Sequence, residues 1–184
     1  MTDQEISIDT FSNTLLEQGK RFLEKAEESS DKTAIEAFNH AALLLSFSAL
    51  EANLNSLADE MLLRDGLSPH DIGLLTESDV NLDDGRFAVS KRLKMFRLED
   101  RLLFLFCRFS PEEQPKTRTW WPILLHGIDL RNKLVHPKKH VVIQTKVVRQ
   151  FIEAELQCLD DLYAALFNRS FPQAKRGLLS TLDF

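Results

Sequence analysis

Cysteine is scarce in this chain, glycine and proline are few, and long apolar runs are missing; each shortage narrows the fold. The two cysteines, Cys107 and Cys158, have no CxxC spacing, which argues against a zinc site and for a reducing compartment. Six glycines and six prolines in 184 residues leave too few turns for an all-β fold. No window holds ~18 uninterrupted apolar residues, and the stretch from Met1 to Asp9 is acidic and polar. Neither a signal peptide nor a membrane span is expected, and the cytoplasm is the expected compartment. The chain also has no internal repeat and no low-complexity segment.

Acidic side chains are missing from one long stretch. Between Asp129 and Glu153 there are none, whereas Arg131, Lys133, Lys138, Lys139, Lys146 and Arg149 are basic. The formal net charge of −5 hides this asymmetry: residues 1–85 carry 5 Lys+Arg against 18 Asp+Glu, and residues 86–184 carry 18 against 10. A polyanion such as RNA would be drawn to the second half. Equally, two oppositely charged surfaces can neutralise each other within the fold or across an oligomer.

What is present reads as helix. A hydrophobic content of 43% with 28% charged residues suits one domain over residues 1–184, with a buried core at about 10–168. A first amphipathic helix runs from Ser12 to Glu28, and Asp31 is placed to cap the next. The second helix, Lys32 to Arg64, is the longest. Leu43, Phe47, Leu50, Leu54, Leu57 and Met61 form its packed seam. A neighbouring row, Leu44, Ser48, Glu51, Asn55, Ala58 and Leu62, is polar in the middle. Glu51 and Asn55 either meet a partner there or lie exposed on the margin of the core face.

Ser68-Pro69 opens a short helix to Leu75, and Glu77 to Arg86 reads as an acidic loop. A third long helix is expected from Ala88 to Phe109, with a basic first half (Lys91, Arg92, Lys94, Arg97) that most simply faces solvent. Two more long helices follow, from Trp120 to Val135 and from Thr145 to Asn168, with a tail beyond Phe171-Pro172. The expected architecture is all-α, a helical bundle of four to five main helices.

The segment with the most chemistry is Arg131-Asn132-Lys133-Leu134-Val135-His136-Pro137. At about 100° per residue, Arg131 falls near the middle of the apolar arc formed by Ile123, Leu124, Ile128, Leu130, Leu134 and Val135. A permanent cation there needs an anionic partner, and Glu51 is the expected one. His136 precedes a proline, which disfavours helical geometry, so it should leave the regular helical path. From spacing alone two readings stand: a site, or a structural ion pair followed by a helix cap.

Arg131-Asn132-Lys133-Leu134-Val135-His136 resembles the R-[polar]-x3-H motif of the HEPN superfamily of all-helical proteins. The run from Ala41 to Asn55, an apolar stretch leading into Glu51 and small or amide residues, is similar to the long early helix of that family. The resemblance implies a HEPN-like bundle and metal-independent endoribonuclease activity, with no cofactor and no metal. Arg131, Asn132 and His136 would be catalytic, with Glu51 and Asn55 in support. The chemistry suits them. An imidazole can serve as general base or acid near neutral pH, and a guanidinium can make bidentate hydrogen bonds to a phosphate. Lys133, Lys138, Lys139 and His140 would contact RNA phosphates.

The resemblance further implies a homodimer whose two motifs share one cleft, and a toxin or defence role restrained by a separate nucleotidyltransferase-type antitoxin. It also admits non-catalytic members that bind RNA, nucleotide or a partner protein. Trp120 and Trp121 fit the core better than a base-stacking site.

Overall fold

A computed structural model describes residues 8–184 of the chain. The polar N-terminal stretch that argued against a signal peptide lies outside the described residues up to residue 7. The described chain forms six α-helices, α1 (Ile8–Glu28), α2 (Lys32–Met61), α3 (Pro69–Leu75), α4 (Leu98–Phe109), α5 (Trp120–Val135) and α6 (Thr145–Phe167). One antiparallel hairpin, β1 (Ser78–Asp83) with β2 (Arg86–Leu93), lies between α3 and α4. Short 3-10 turns occupy Pro115–Thr117 and Ala174–Arg176. The protein is therefore a mainly helical bundle carrying one small sheet.

Helix α2 is the hub. Its buried side, with Leu43, Phe47, Leu50, Leu54, Leu57 and Met61, packs into one core with residues of α1, α4, α5 and α6. It is the one described helix long and apolar enough to cross a membrane, but here it packs within the bundle. Its start follows the sequence: Asp31 Oδ1 accepts a hydrogen bond from Thr33 N. Ser68 and Asp71 form a reciprocal capping box at the head of α3.

Two glycines lie where a neighbouring helix leaves no room for a side chain. A methyl group on Gly19 of α1 would lie 2.3 Å from Ser46 Oγ on α2. One on Gly127 of α5 would lie 1.9 Å from the ring of Phe151 on α6. Neither position has room for a larger side chain.

The hairpin corrects two expectations. The acidic stretch expected as a loop from Glu77 to Arg86 forms β1 and its turn, and the helix expected from Ala88 begins only at Leu98. The reason lies in Asp84-Gly85, both with positive φ (47° and 75°). That turn matches the twist of two antiparallel strands. Strand β2 then aligns Phe87 with Leu82 and Val89 with Val80, so an alternating pattern outweighs a helical one. Met95 is exposed in the link to α4, where a continuous helix would have turned it toward the core.

The segment after α6 folds back onto α1. Phe171 is buried, and its backbone N–H donates to Asp160 Oδ1 (2.8 Å). Thr181 donates from both backbone and hydroxyl to Glu17 Oε2, and the Ser180 hydroxyl donates to the Glu17 backbone oxygen. Beneath this strap Lys20 is fully buried, donating to Glu17 Oε1 (3.2 Å) and Gln173 Oε1 (3.5 Å). Burial works to raise the Glu17 carboxyl, but Thr181 and Lys20 together hold it below the usual range. Glu155 on α6 is also fully buried, and neither carboxylate oxygen has a hydrogen-bond partner among the described residues. Desolvation pushes its pKa well up, against the pull of the Lys20 charge.

Candidate functional site

The motif sits where α5 outruns its own support. Trp120, Trp121, Leu124 and Gly127 bury the first half of the helix; beyond Gly127 no residue is fully buried. Trp120 and Trp121 belong to the core, and Trp120 Nε1 donates to Asp161 Oδ2 (2.8 Å). The helix ends at Val135. His136 takes a non-helical backbone (φ −120°, ψ 64°), and its N–H closes the last turn on the Asn132 carbonyl (2.9 Å). Pro137 accounts for that stop.

The His136 side chain is exposed and makes no hydrogen bond or ion pair with a described residue. It lines an open groove of about 410 Å³ with Asn132, Lys133, Lys138, Lys139 and Val141. Lys133 also bridges to Asp129 one turn back (2.5 Å), while Lys138 and Lys139 have no ion-pair partner among the described residues. The groove wall is thus cationic at its rim, with lysine stems and Val141 supplying an apolar floor.

Arg131 faces α2 as its place in the apolar arc requires, but its partner differs from the expected one. The guanidinium lies over the Phe47 ring, 4.2 Å from the centroid, and Nη1 donates to Asn132 Oδ1 (3.1 Å). Such a stack contributes about 0.5–2 kcal/mol depending on desolvation, so an aromatic face replaces the expected carboxylate. Glu51 makes no ion pair with Arg131. Desolvation raises the Glu51 carboxyl above the usual range, Arg131 and then Arg101 oppose the rise, and Glu77 adds to it.

Asn55 is held by a residue the sequence did not single out. Arg101 of α4, 7% exposed, donates through Nη2 to Asn55 Oδ1 (2.7 Å) and pairs with Glu77 (3.3 Å). The signal was present: Arg101 shares a helical face with Leu98, Leu102 and Leu105, so it needed a buried acceptor. Asn55 accordingly anchors α4 and the hairpin root, away from the groove.

His140 does not line the groove either. Its Nε2 lies 2.7 Å from Glu36 Oε1 on α2. The same stretch is fixed twice more: His40 Nε2 lies 3.2 Å from the Val141 carbonyl, and buried Asn39 donates to the Ile143 carbonyl (3.0 Å) and Thr145 Oγ1 (3.1 Å). These contacts hold the far wall of the groove against α2. Glu36, Asn39 and His40 thus position Lys138 and Lys139 indirectly. His126, given no role from the sequence, is exposed on α5.

The structure therefore brings Asn132, Lys133, His136, Lys138 and Lys139 together, places Arg131 next to them on Phe47, and separates Glu51, Asn55 and His140 from the groove. Among the described residues no three His, Cys, Asp or Glu side chains converge as a metal site. No family model, no curated protein and no solved structure matches the chain.

Proposed function

We propose that the chain is a metal-independent endoribonuclease of the HEPN type, acting as a homodimer in the cytoplasm with two motifs across one cleft. The observation that supports this most is the exposed, unpartnered His136 in a lysine-rimmed groove, beside Arg131 and Asn132. An RNA strand in the groove would set phosphates against Lys138 and Lys139.

His136 would take the proton from a ribose 2′-hydroxyl. The 2′-oxygen then bonds to the adjacent phosphorus, and the bond from phosphorus to the 5′-oxygen breaks. The products are a 2′,3′-cyclic phosphate and a 5′-hydroxyl. The leaving oxygen takes its proton from the His136 of a second copy, which is why the reading needs a dimer. Arg131 would stabilise the charge gathering on the phosphorane, after exchanging the Phe47 face for phosphate oxygens. Asn132 holds Nη1 and so orients the guanidinium. In this reading the protein is a toxin or defence effector restrained by a separate nucleotidyltransferase-type antitoxin.

One observation favours a second reading. Arg131 stacks on Phe47 and is not part of the groove lining, as suits a non-catalytic module in which the groove only holds RNA, nucleotide or a partner protein. Incubating the purified protein with RNA in excess EDTA separates the two. Cleavage that disappears in His136→Ala, with cyclic-phosphate ends on the products, supports the nuclease. Binding that survives His136→Ala without any turnover supports the module, and cleavage unchanged by that substitution overturns the nuclease.

A further inference from the structure

The hairpin stands on the same row of α2 as the motif. Phe47, Glu51 and Asn55 are successive i, i+4 neighbours, and about 12 Å of helix separates the first from the last. Arg131 lies over Phe47, and Arg101 ties Asn55 to Glu77. Glu77 in turn holds the root of the hairpin, since its carbonyl accepts from Lys94 N (2.8 Å) and its carboxylate from Phe96 N (3.4 Å). The root is therefore only a few nucleotides' reach from the groove.

Strand β2 is built to display cations. Ser78 pairs with Leu93 and Val80 with Val89, so Asp79 alone stands opposite Ser90, Lys91 and Arg92. Such a bulge bends the strand and re-aims its side chains, and the Ser90 hydroxyl braces it by accepting from Arg92 N (3.1 Å). Asp79 is taken by Lys94 (3.3 Å) and Glu99 by Arg97. Asp83 lies across from Arg86 at the turn, beside Asp84, but neither comes within ion-pair distance of it. Arg86, Lys91 and Arg92 thus remain exposed and unpaired among the described residues. Phe87 lies between them in sequence, 56% exposed, with its ring edge-on to His70 at 4.7 Å.

We propose that this hairpin is an RNA-binding arm. In it Arg86, Lys91 and Arg92 hold phosphates of the strand flanking the motif groove, and Phe87 offers a base a stacking face. A polyanion satisfies three free cations at once, and an aromatic among them suits a nucleobase better than an acidic peptide. The arm rests on RNA being the ligand of the groove, and extends the footprint along α2.

The test measures anisotropy of a labelled 20-nucleotide oligouridylate on His136→Ala protein, so that turnover plays no part. Arg86→Gln/Lys91→Gln/Arg92→Gln is compared with Lys32→Gln/Lys116→Gln/Lys175→Gln, which removes equal charge elsewhere. The hairpin triple is expected to reduce the slope of log affinity against log salt by about 2, at ~0.7 for each phosphate no longer neutralised, while the control triple does not. Phe87→Ala is expected to weaken binding at least about fivefold without altering the slope. Equal slope changes in both triples, no change in the hairpin triple, or equal affinity for polyglutamate of the same length would overturn the arm. The two proposals fail separately. Cleavage that needs His136 but binding indifferent to the hairpin removes only the arm; binding through the hairpin by a protein that cuts nothing removes only the nuclease.

Discussion

Replacing Gly127 with alanine adds one methyl group at the glycine with the least room around it, and the expected outcome is a less stable protein with a displaced motif. The new Cβ would lie 1.9 Å from Phe151 Cδ2, 2.6 Å from Cε2 and 2.7 Å from Cγ. Ordinary contact begins near 3.4 Å, so helix α5 must retreat by about 1.5 Å or the ring must turn. Phe151 is fully buried, which leaves it no free volume to turn into. Two effects oppose. Alanine is favoured over glycine inside a helix by about 1 kcal/mol, whereas overpacking of this kind costs about 1–3 kcal/mol and more where nothing yields. With Phe151 unable to yield, the steric cost lies at the upper end of its range, about 3 kcal/mol or more, and the net loss should be about 2 kcal/mol or more. Urea unfolding followed by circular dichroism measures it as a lower midpoint at unchanged slope. Adding Phe151→Leu should recover part of the loss, because the two changes share one contact. A midpoint equal to or above that of the native chain would refute the packing argument, and with it the claim that this glycine sets the seat of α5.

Three further outcomes are expected. Glu155→Gln should be more stable than the native chain at neutral and alkaline pH. Because the folded Glu155 pKa lies well above the ordinary 4.5, its stability contribution is complete below that value and lost as pH rises towards the folded one. The difference between variant and native protein should therefore widen by up to about 1.4 kcal/mol per pH unit across that window; urea titrations at pH 4.5, 6 and 8 showing a constant difference would contradict it. Arg101→Leu should cost about 2–4 kcal/mol by stranding Glu77 and Asn55, and hydrogen exchange should accelerate over residues 78–93. Asn39→Ala should cost about 1–2 kcal/mol and speed exchange in residues 138–144, with little change elsewhere.

Most helices were legible because period and caps agreed. Asp31, Ser68-Pro69 and Pro137 mark boundaries that hold in the fold. The hairpin was missed because its strands are solvent-exposed and rich in charge, so the alternation of Val80, Leu82, Phe87 and Val89 was masked by an apparent helical phase running back from α4. Asp84-Gly85 was the local signal that should have decided it. At the site, periodicity placed Arg131 on the inward face correctly, but it could not tell which inward neighbour would meet the guanidinium. Phe47 and Glu51 lie one turn apart on α2, and the choice between aromatic face and carboxylate depends on the depth and rotation of α5. The basic run after Pro137 was legible as charge alone. Which of its members line the groove depended on Glu36 capturing His140, a contact across 104 residues that no local pattern encodes.

The link between α1 and α2 is only three residues, Ser29–Asp31, and that brevity has a kinetic meaning. Closing so short a loop costs little chain entropy, so this helical pair can form early, using contacts local in sequence. Helix α5 is expected to dock afterwards, because its seat needs Phe47 of α2 on one side and Phe151 of α6 on the other. The stretch carrying Arg131 and His136 is thus expected to be completed late in folding. A chain unfolding from its least secured end would lose its motif before it lost its core.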